Sequence, residues 1–311
     1  MNKKILMFVI FVVLLSWIGN VTYYQGQQLN EPLFLKNYCE YMGTSATVGV
    51  DFYYLINRSK DINVDEIEIP NLKRFSIKSN YNDSSFRGLN IYCNEMKYTH
   101  YLLRKVTIPI EEQDMTNIKK LTKSGPYKID HIIVRYSNGE SKKVEIGEMY
   151  FYNNNSDRSV LQEYSSGSSN NSTSFSILRA DNSLTIKEWD FYLKDMLLKN
   201  ADVYVSTSQK SIQRFVGGIH NGESIDQTSE NNDQKFSEVH FPIKLNKGDF
   251  IKITSKLKPE VSNILYNYFI DTRIIAETKD GKEHIVECNI EQHPSISEKE
   301  IEKLVKEMRG K

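Results

Sequence analysis

The sequence contains little cysteine and little proline. It has 3 cysteines and 7 prolines in 311 residues. An odd and low number of cysteines argues against a scaffold held together by disulfides. Cys93 and Cys288 each alternate with apolar residues in strand-like segments, so we expect both side chains to be buried. A disulfide between Cys39 and Cys93 is the alternative for that pair.

A net charge of one sign is also missing. Lys and Arg together number 40, as do Asp and Glu, so the formal net charge is zero. A chain without a basic field does not attract nucleic acid or an anionic lipid surface over a distance. Nucleic acid is therefore not expected as a partner. The sequence still has 39% hydrophobic residues, enough to form a core, which excludes a disordered stalk.

Recognisable catalytic motifs are absent from the sequence. It contains neither the G-x-S-x-G elbow of serine hydrolases nor the G-x-x-x-x-G-K-[ST] loop that binds phosphates. None of the 6 histidines follows another at the i, i+4 spacing of a zinc helix, and there is no C-x-x-C pair. We therefore predict no cofactor, no metal and no catalytic residue.

The only long apolar run is at the N-terminus. Residues 5–18 carry no charge and a single polar side chain, Ser16. Extending this run to Tyr23 and Tyr24 brings it within the range of about 17–25 residues that a membrane-spanning helix needs. Tyrosine rings are typical of the membrane–water interface, where one end of the ring is wet. The run therefore predicts a helix that crosses a membrane.

The prediction is an uncleaved signal anchor over residues 1–24, with residues 5–24 in the lipid bilayer. Lys3 and Lys4 precede the span, and basic residues tend to remain on the cytoplasmic side. The protein is thus predicted to be a single-pass protein of the cell membrane, with a cytoplasmic N-terminus and an extracytoplasmic bulk. The alternative is a secreted protein released by signal cleavage, although the small residues of a cleavage site are missing.

The rest of the chain is predicted to be mainly β. Short β-prone segments recur between polar turns, and Asn138-Gly139 predicts a hairpin with a type I′ turn. The predicted strands are 48–56, 62–69, 75–77, 89–93, 98–110, 127–136, 142–146, 175–178, 183–187, 203–205, 239–245, 250–253, 268–275 and 284–290. The predicted fold is an N-terminal transmembrane helix, two tandem antiparallel β-sandwich-like domains and a short C-terminal helix.

Polar tracts suggest where the domains begin and end. The Asn- and Ser-rich residues 153–174 predict a linker between a first β domain, 25–152, and a second, 175–311. Within the second domain, helical spacing predicts a short helix over 189–198. The polar segment Gly217–Lys235 predicts a long exposed loop.

Two further patterns lie toward the C-terminal ends of the two predicted β domains. The pattern V-x-[IF]-P-I occurs at residues 106–110 and 239–243, each upstream of a predicted hairpin, which favours either an internal duplication or a chance similarity. Near the C-terminus, Ser297-Glu-Lys-Glu300 has the sequence of a capping box. The apolar residues Ile301, Leu304, Val305 and Met308 then predict an amphipathic helix, docked either on its own domain or on a partner.

Function is predicted only as binding. Aromatic side chains next to amides are typical of β modules that hold sugars or peptides, and long loops often carry binding residues. The candidate binding residues are Tyr150, Tyr152, Asn153, His220 and Asn221. The predicted partner, besides the lipid bilayer, is an envelope polymer or another membrane protein. The alternative is a cell-envelope hydrolase whose catalytic residues converge only in the folded chain.

Overall fold

The computed structural model describes residues 3–42, 48–59, 62–77, 92–152, 159–169, 172–220, 233–258, 266–294 and 296–309. Its helices are α1 (Lys3–Gln27), α2 (Glu112–Leu121), α3 (Lys194–Asn200), α4 (Gln209–His220) and α5 (Glu298–Arg309), with a 3-10 helix at Phe236–Glu238. Its strands are β1 (Leu33–Phe34), β2 (Lys36–Met42), β3 (Val48–Asn57), β4 (Val64–Ile69), β5 (Lys73–Ser76), β6 (Tyr92–Lys97), β7 (Tyr101–Ile110), β8 (Tyr127–Tyr136), β9 (Ser141–Tyr152), β10 (Leu161–Ser169), β11 (Thr173–Ala180), β12 (Leu184–Asp190), β13 (Ala201–Ser206), β14 (Gln234–Lys235), β15 (Ile243–Leu245), β16 (Phe250–Leu257), β17 (Tyr266–Thr278) and β18 (Glu283–Gln292).

The described strands form three sheets, so the chain is mainly β, as the sequence predicts. A four-stranded sheet has the order β1-β3-β7-β6, and a five-stranded sheet has the order β10-β11-β16-β13-β14. A nine-stranded sheet runs β15-β12-β17-β2-β9-β8-β4-β5, with β18 paired to β17. The N-terminal and C-terminal helices are also present where the sequence predicts them.

The nine-stranded sheet joins the two halves of the chain through β2. This strand pairs parallel with β17 of the second half and parallel with β9 of the first half. The predicted antiparallel pairing is therefore wrong for the nine-stranded sheet, which is mixed, whereas the described strands of the other two sheets pair antiparallel. Since β2 is central, it is covered on both faces, and its buried residues include the polar Asn37 and Glu40.

Two hydrophobic cores lie on opposite faces of the nine-stranded sheet. Along β2, Cys39 and Tyr41 belong to the first core, which they share with β3 and β7 of the four-stranded sheet. Tyr38, which directly precedes Cys39, packs against the second core, which includes β11, β13 and β16 of the five-stranded sheet. Successive side chains of a strand point to opposite faces, so β2 separates the two cores.

The β8–β9 and β17–β18 hairpins have the same loop geometry, which differs from the type I′ turn that the sequence predicts for β8–β9. In the β8–β9 loop, Gly139 N–H donates to Tyr136 O (2.9 Å) and Tyr136 N–H donates to Glu140 O (2.9 Å). Gly139 has a φ of 84°, whereas Asn138 is not among the residues with positive φ. A type I′ turn needs positive φ at both central residues, so this is a three-residue loop with glycine at its last position. The β17–β18 loop ends on Gly281 in the same way.

Several local predictions are corrected by tertiary packing. The polar tract 153–174 contains β10, whose serine-rich backbone pairs with β11. The predicted helix at 189–198 begins only at Lys194, because Trp189 is buried in β12 against the ring of Phe236. The predicted loop Gly217–Lys235 begins as the last turn of α4, and residues 221–232 lie outside the described residues.

The C-terminal helix α5 is confirmed, and it packs on the first half of the chain. Ser297 N–H donates to Glu300 Oε2 (2.6 Å), as expected at a capping box. Ile301 and Val305 share a core with Tyr53 of β3 and Tyr101 of β7. The last element of the chain thus docks on the four-stranded sheet, although the sequence groups it with the second half.

The cysteine and repeat predictions have mixed outcomes. Cys39 is a free, buried thiol, so the alternative Cys39–Cys93 disulfide is not formed. Cys288 is buried as expected, and the side chain of Cys93 lies outside the described residues. The two V-x-[IF]-P-I segments differ in structure. Residues 106–110 lie within β7, whereas 239–243 meet a strand only at the start of β15.

A close approach of β2 to β9 generates a prediction. Gly147 of β9 has a φ of 95°, and a Cβ atom there would lie 2.5 Å from Asn37 O of β2. Gly139 has a similar φ of 84° but open space around it. We expect Gly139→Ala to lose about 1–2 kcal/mol of unfolding free energy from the left-handed backbone alone. Gly147→Ala should lose about 1–3 kcal/mol more of unfolding free energy, because the new methyl group is too close to the backbone of Asn37 in β2.

Chemical denaturation of the full chain in detergent micelles measures both losses. Gly139→Ala is the matched control, because it introduces the same methyl group at a similar φ without the neighbour. Equal losses in the two variants would contradict the close packing of β2 on β9.

Candidate functional site

A buried carboxylate connects β2 to the segment that follows β12. Glu40 is 0% exposed and accepts hydrogen bonds from the backbone N–H groups of Tyr192 (3.0 Å) and Leu193. Leu193 is the residue immediately before α3, so the carboxylate lies at the start of that helix. Burial raises the pKa of Glu40 to about 7, while the two hydrogen bonds and the charge of Arg273 act in the opposite direction.

Aromatic rings and a guanidinium group surround this connection. We call Tyr150, Tyr152, Asp190, Tyr192 and Arg273 the junction cluster. The rings of Tyr150 and Tyr192 stack with their centroids 5.7 Å apart. The guanidinium carbon of Arg273 lies 4.6 Å from the ring centroid of Tyr192 and 5.2 Å from that of Tyr152. Cation–π contacts of this kind stabilise a fold when the cation is partly desolvated.

Charges in and beside the junction cluster are paired. Arg273 Nη2 donates to Asp190 Oδ2 at 2.7 Å, across neighbouring strands β17 and β12. Lys128 of β8 lies beside the junction cluster, with its Nζ 2.7 Å from Glu148 Oε1 and 5.7 Å from the ring centroid of Tyr150. These contacts therefore involve strands from both halves of the chain. The positive charges of Arg273 and Lys128 are each paired with a carboxylate of the same chain.

The structure brings together two of the five predicted binding residues. Tyr150 is half-buried, and Tyr152 is buried, with its hydroxyl donating to the backbone oxygen of Asp271. Both rings make contacts within the chain. Asn153 and Asn221 lie outside the described residues, and His220 ends α4 without a described side chain.

Sequence reasoning missed the other members of the junction cluster. Tyr192 and Arg273 are distant from Tyr150 along the chain, and only the parallel pairing of β2 with β9 and β17 brings them near it. A signal was present in Gly147, since a glycine inside a strand often marks a site where another backbone approaches closely.

A cleft of about 440 Å³ lies beside the predicted loop segment. Its lining is mixed, with apolar side chains next to hydroxyl, amide and imidazole groups. The lining residues are Val205, Thr207, Ser208, Gln234, Val239, His240 and Ile243. Of these, only Gln234 belongs to the predicted loop Gly217–Lys235, and it pairs with Val205 in the sheet. The volume lies within the usual range for small-ligand sites, about 300–1,000 Å³.

A buried ion pair lies directly before Gln234 of this cleft. Lys252 of β16 is 2% exposed, and its Nζ lies 2.8 Å from Asp233 Oδ2 and 4.4 Å from the ring centroid of Phe215 in α4. Breaking a buried pair by removing one partner leaves an uncompensated charge, which is strongly unfavourable. The pair therefore holds Asp233, and with it the neighbouring Gln234, against the five-stranded sheet.

Neither a metal-binding cluster nor a known family assigns a role to these described residues. Among the described residues, no group of three or more His, Cys, Asp or Glu side chains could hold a metal ion. No protein-family model matches the sequence, and the search of curated proteins gives no match.

The similarities to solved structures are long but weak, as two of them illustrate. A Porphyromonas gingivalis protein of unknown function is 8% identical with a TM-score of 0.20, over 84% of this chain and 99% of that one. Fibronectin(III)-like modules of CbhA from Clostridium thermocellum are 8% identical with a TM-score of 0.19, over 86% and 93%. Such low scores support no conclusion about fold or function.

The raised pKa of Glu40 predicts a pH-dependent stability. The folded-state pKa of about 7 exceeds the ordinary value of 4.5, so between these values the folded chain binds more protons than the unfolded chain. The contribution of Glu40 to the unfolding free energy therefore falls as the pH rises from 4.5 to about 7, and is constant above. The loss is up to about 3 kcal/mol.

Glu40→Gln is the matched variant, because its amide cannot ionise. Denaturant unfolding of both proteins across this pH range should show the wild type losing stability relative to the variant. Parallel curves for the two proteins would contradict an ionisable buried carboxylate at this position.

Proposed function

We propose that the chain is a single-pass membrane protein whose β-rich part lies outside the cytoplasm and binds a component of the cell envelope. The observation that carries this proposal is the uncovered surface of α1. Its apolar side chains from Ile5 to Tyr24 are exposed all round, and none of its most apolar window is buried. An apolar surface of this extent needs a partner.

The length of α1 fits a lipid bilayer as that partner. Residues 5–24 span about 30 Å at 1.5 Å per residue, close to the thickness of the hydrocarbon core. Lys3 and Lys4 at the start of the helix favour a cytoplasmic N-terminus. The β-rich part then follows on the other side of the membrane.

Binding is assigned to the cleft beside β13, β14 and β15. Apolar walls with a few hydroxyl, amide and imidazole groups suit a short peptide segment or a sugar unit, which present both kinds of surface. The ligand class is therefore a segment of an envelope polymer or of another membrane protein. Ser208 and His240 line the same cleft, which is the observation that favours the second candidate function, an envelope hydrolase.

Photo-crosslinking in the membrane of the producing cell tests the binding proposal. A photoreactive residue replaces Gln234 in the cleft, or Lys279 in the exposed β17–β18 loop as the control position. We expect a discrete adduct from position 234 and none from position 279. Thr207→Trp should remove the adduct, because the indole fills the cleft, while thermal unfolding shows that the fold is kept.

Equal adducts from both positions, or none from position 234, would contradict binding in the cleft. Hydrolysis of an envelope polymer by the purified full chain, abolished by Ser208→Ala, would instead support the hydrolase.

A further inference from the structure

The membrane helix is joined to the β-rich part without a flexible spacer. Gln27, the last residue of α1, is already buried, and so is Leu29. Leu29 N–H donates to Asn57 Oδ1 at 2.7 Å, and Asn57 Nδ2 donates to Leu29 O at 2.6 Å. The hydroxyl of Tyr101 donates to Gln27 O. The end of α1 is therefore fixed to β3 and β7.

This attachment also fixes the position of the β-rich part along the axis of α1. Tyr24 precedes Gln27 by three residues, which is about 4.5 Å along a helix. The C-terminal helix α5 completes the attachment, because Ile301 and Val305 pack in the same cluster as Leu29.

The turn between β6 and β7 lies at the level of the interfacial tyrosines. The ring centroid of His100 in this turn is 6.2 Å from that of Tyr23 and 6.2 Å from that of Tyr24. Its backbone is held from two sides. Arg58 N–H donates to His100 O at 2.9 Å, and Thr99 N–H donates to Glu298 Oε1 at 3.0 Å.

We propose that the β6–β7 turn, residues 98–100, lies in the headgroup layer of the phospholipid bilayer that α1 crosses. The proposal rests on the membrane span of the proposed function. Tyrosine rings at the end of a span lie at headgroup level. Each headgroup layer is about 5–7 Å thick, the difference between a hydrocarbon core and a whole bilayer divided between two sides. A ring 6.2 Å from both tyrosines therefore lies within or directly beside that layer.

The chemistry of the turn suits this position. His100 and Thr99 are polar, the Lys97 side chain is 70% exposed, and Met96 exposes an apolar side chain beside them. The headgroup layer is mixed in the same way, with phosphates and water next to the first methylene groups. The chain has zero net charge, so the rigid attachment to α1, rather than long-range attraction, determines the contact.

Depth-dependent quenching in lipid nanodiscs tests the proposal on the full chain. A fluorophore is attached to a single reactive cysteine in a Cys93→Ser background. Cys39 and Cys288 should not react, because burial raises the pKa of each thiol to about 12. The probe position is Thr99→Cys, and Leu14→Cys in the middle of α1 is the control for the bilayer interior.

The control for water is Lys279→Cys, at the far end of β17. Tyr266, at the start of β17, packs against the same cluster as Leu29. The 13 residues of β17 extend about 40 Å from there, so position 279 lies far along the sheet from the attachment of α1.

We expect a nitroxide on the lipid headgroup to quench position 99 several-fold more than a nitroxide near the end of the acyl chain. Position 14 should show the opposite order, and position 279 should be quenched by neither. If position 14 is quenched and position 99 is not, the anchor stands and the headgroup contact is overturned. Shielding of position 99 from a water-soluble quencher without quenching by lipid would show a protein partner there, and would also overturn it.

If none of the three positions is quenched by lipid, the membrane span of the proposed function fails, and the headgroup contact fails with it. The two failures are therefore distinguishable in one experiment.

Discussion

The parallel pairing of β2 with β9 and β17 is the interaction on which the rest of the structure depends. This seven-residue strand pairs with one strand from each half of the chain within the nine-stranded sheet. Its two faces supply side chains to the two cores. Its buried Glu40 also anchors the start of α3, so that the second half is attached to β2 by side-chain as well as backbone hydrogen bonds.

The segment that follows α1 and the helix α5 form a second point of attachment. The end of α1 and the amphipathic face of α5 pack on the same strands, β3 and β7, of the four-stranded sheet. The C-terminal end of α1 and the helix α5 therefore lie at one place, beside the proposed bilayer surface. A force applied to the β-rich part would be transmitted to α1 through packed side chains, since no flexible linker lies between them.

The sequence predicts the features that depend on local pattern. The apolar run of α1, the capping box before α5 and the alternation in β8 are local signals, and each has its expected element in the structure. The sequence also predicts the position of the loop at Asn138-Gly139, but it predicts the wrong turn type, because the pattern does not distinguish two-residue from three-residue loops.

Features created by contacts between distant residues could not be predicted. β2 carries Asn37 and Glu40 among its apolar residues, and since both faces are buried it shows no alternation from which to recognise a strand. The sequence predicts Tyr150 as a candidate site residue, but Tyr192, which follows β12, and Arg273 of β17 reach the same cluster from distant parts of the chain. The lining of the cleft likewise comes from three separate segments of sequence, and the predicted loop contributes one residue to it.

Amide hydrogen exchange of β2 in the full chain tests most directly whether one sheet unites the two halves. The account predicts that the amides of Tyr38 to Tyr41 exchange as slowly as those of β9 and β17 to which they are paired, and only through global unfolding. Fast exchange in β2, with β9 and β17 protected to different extents in two separate units, would contradict it.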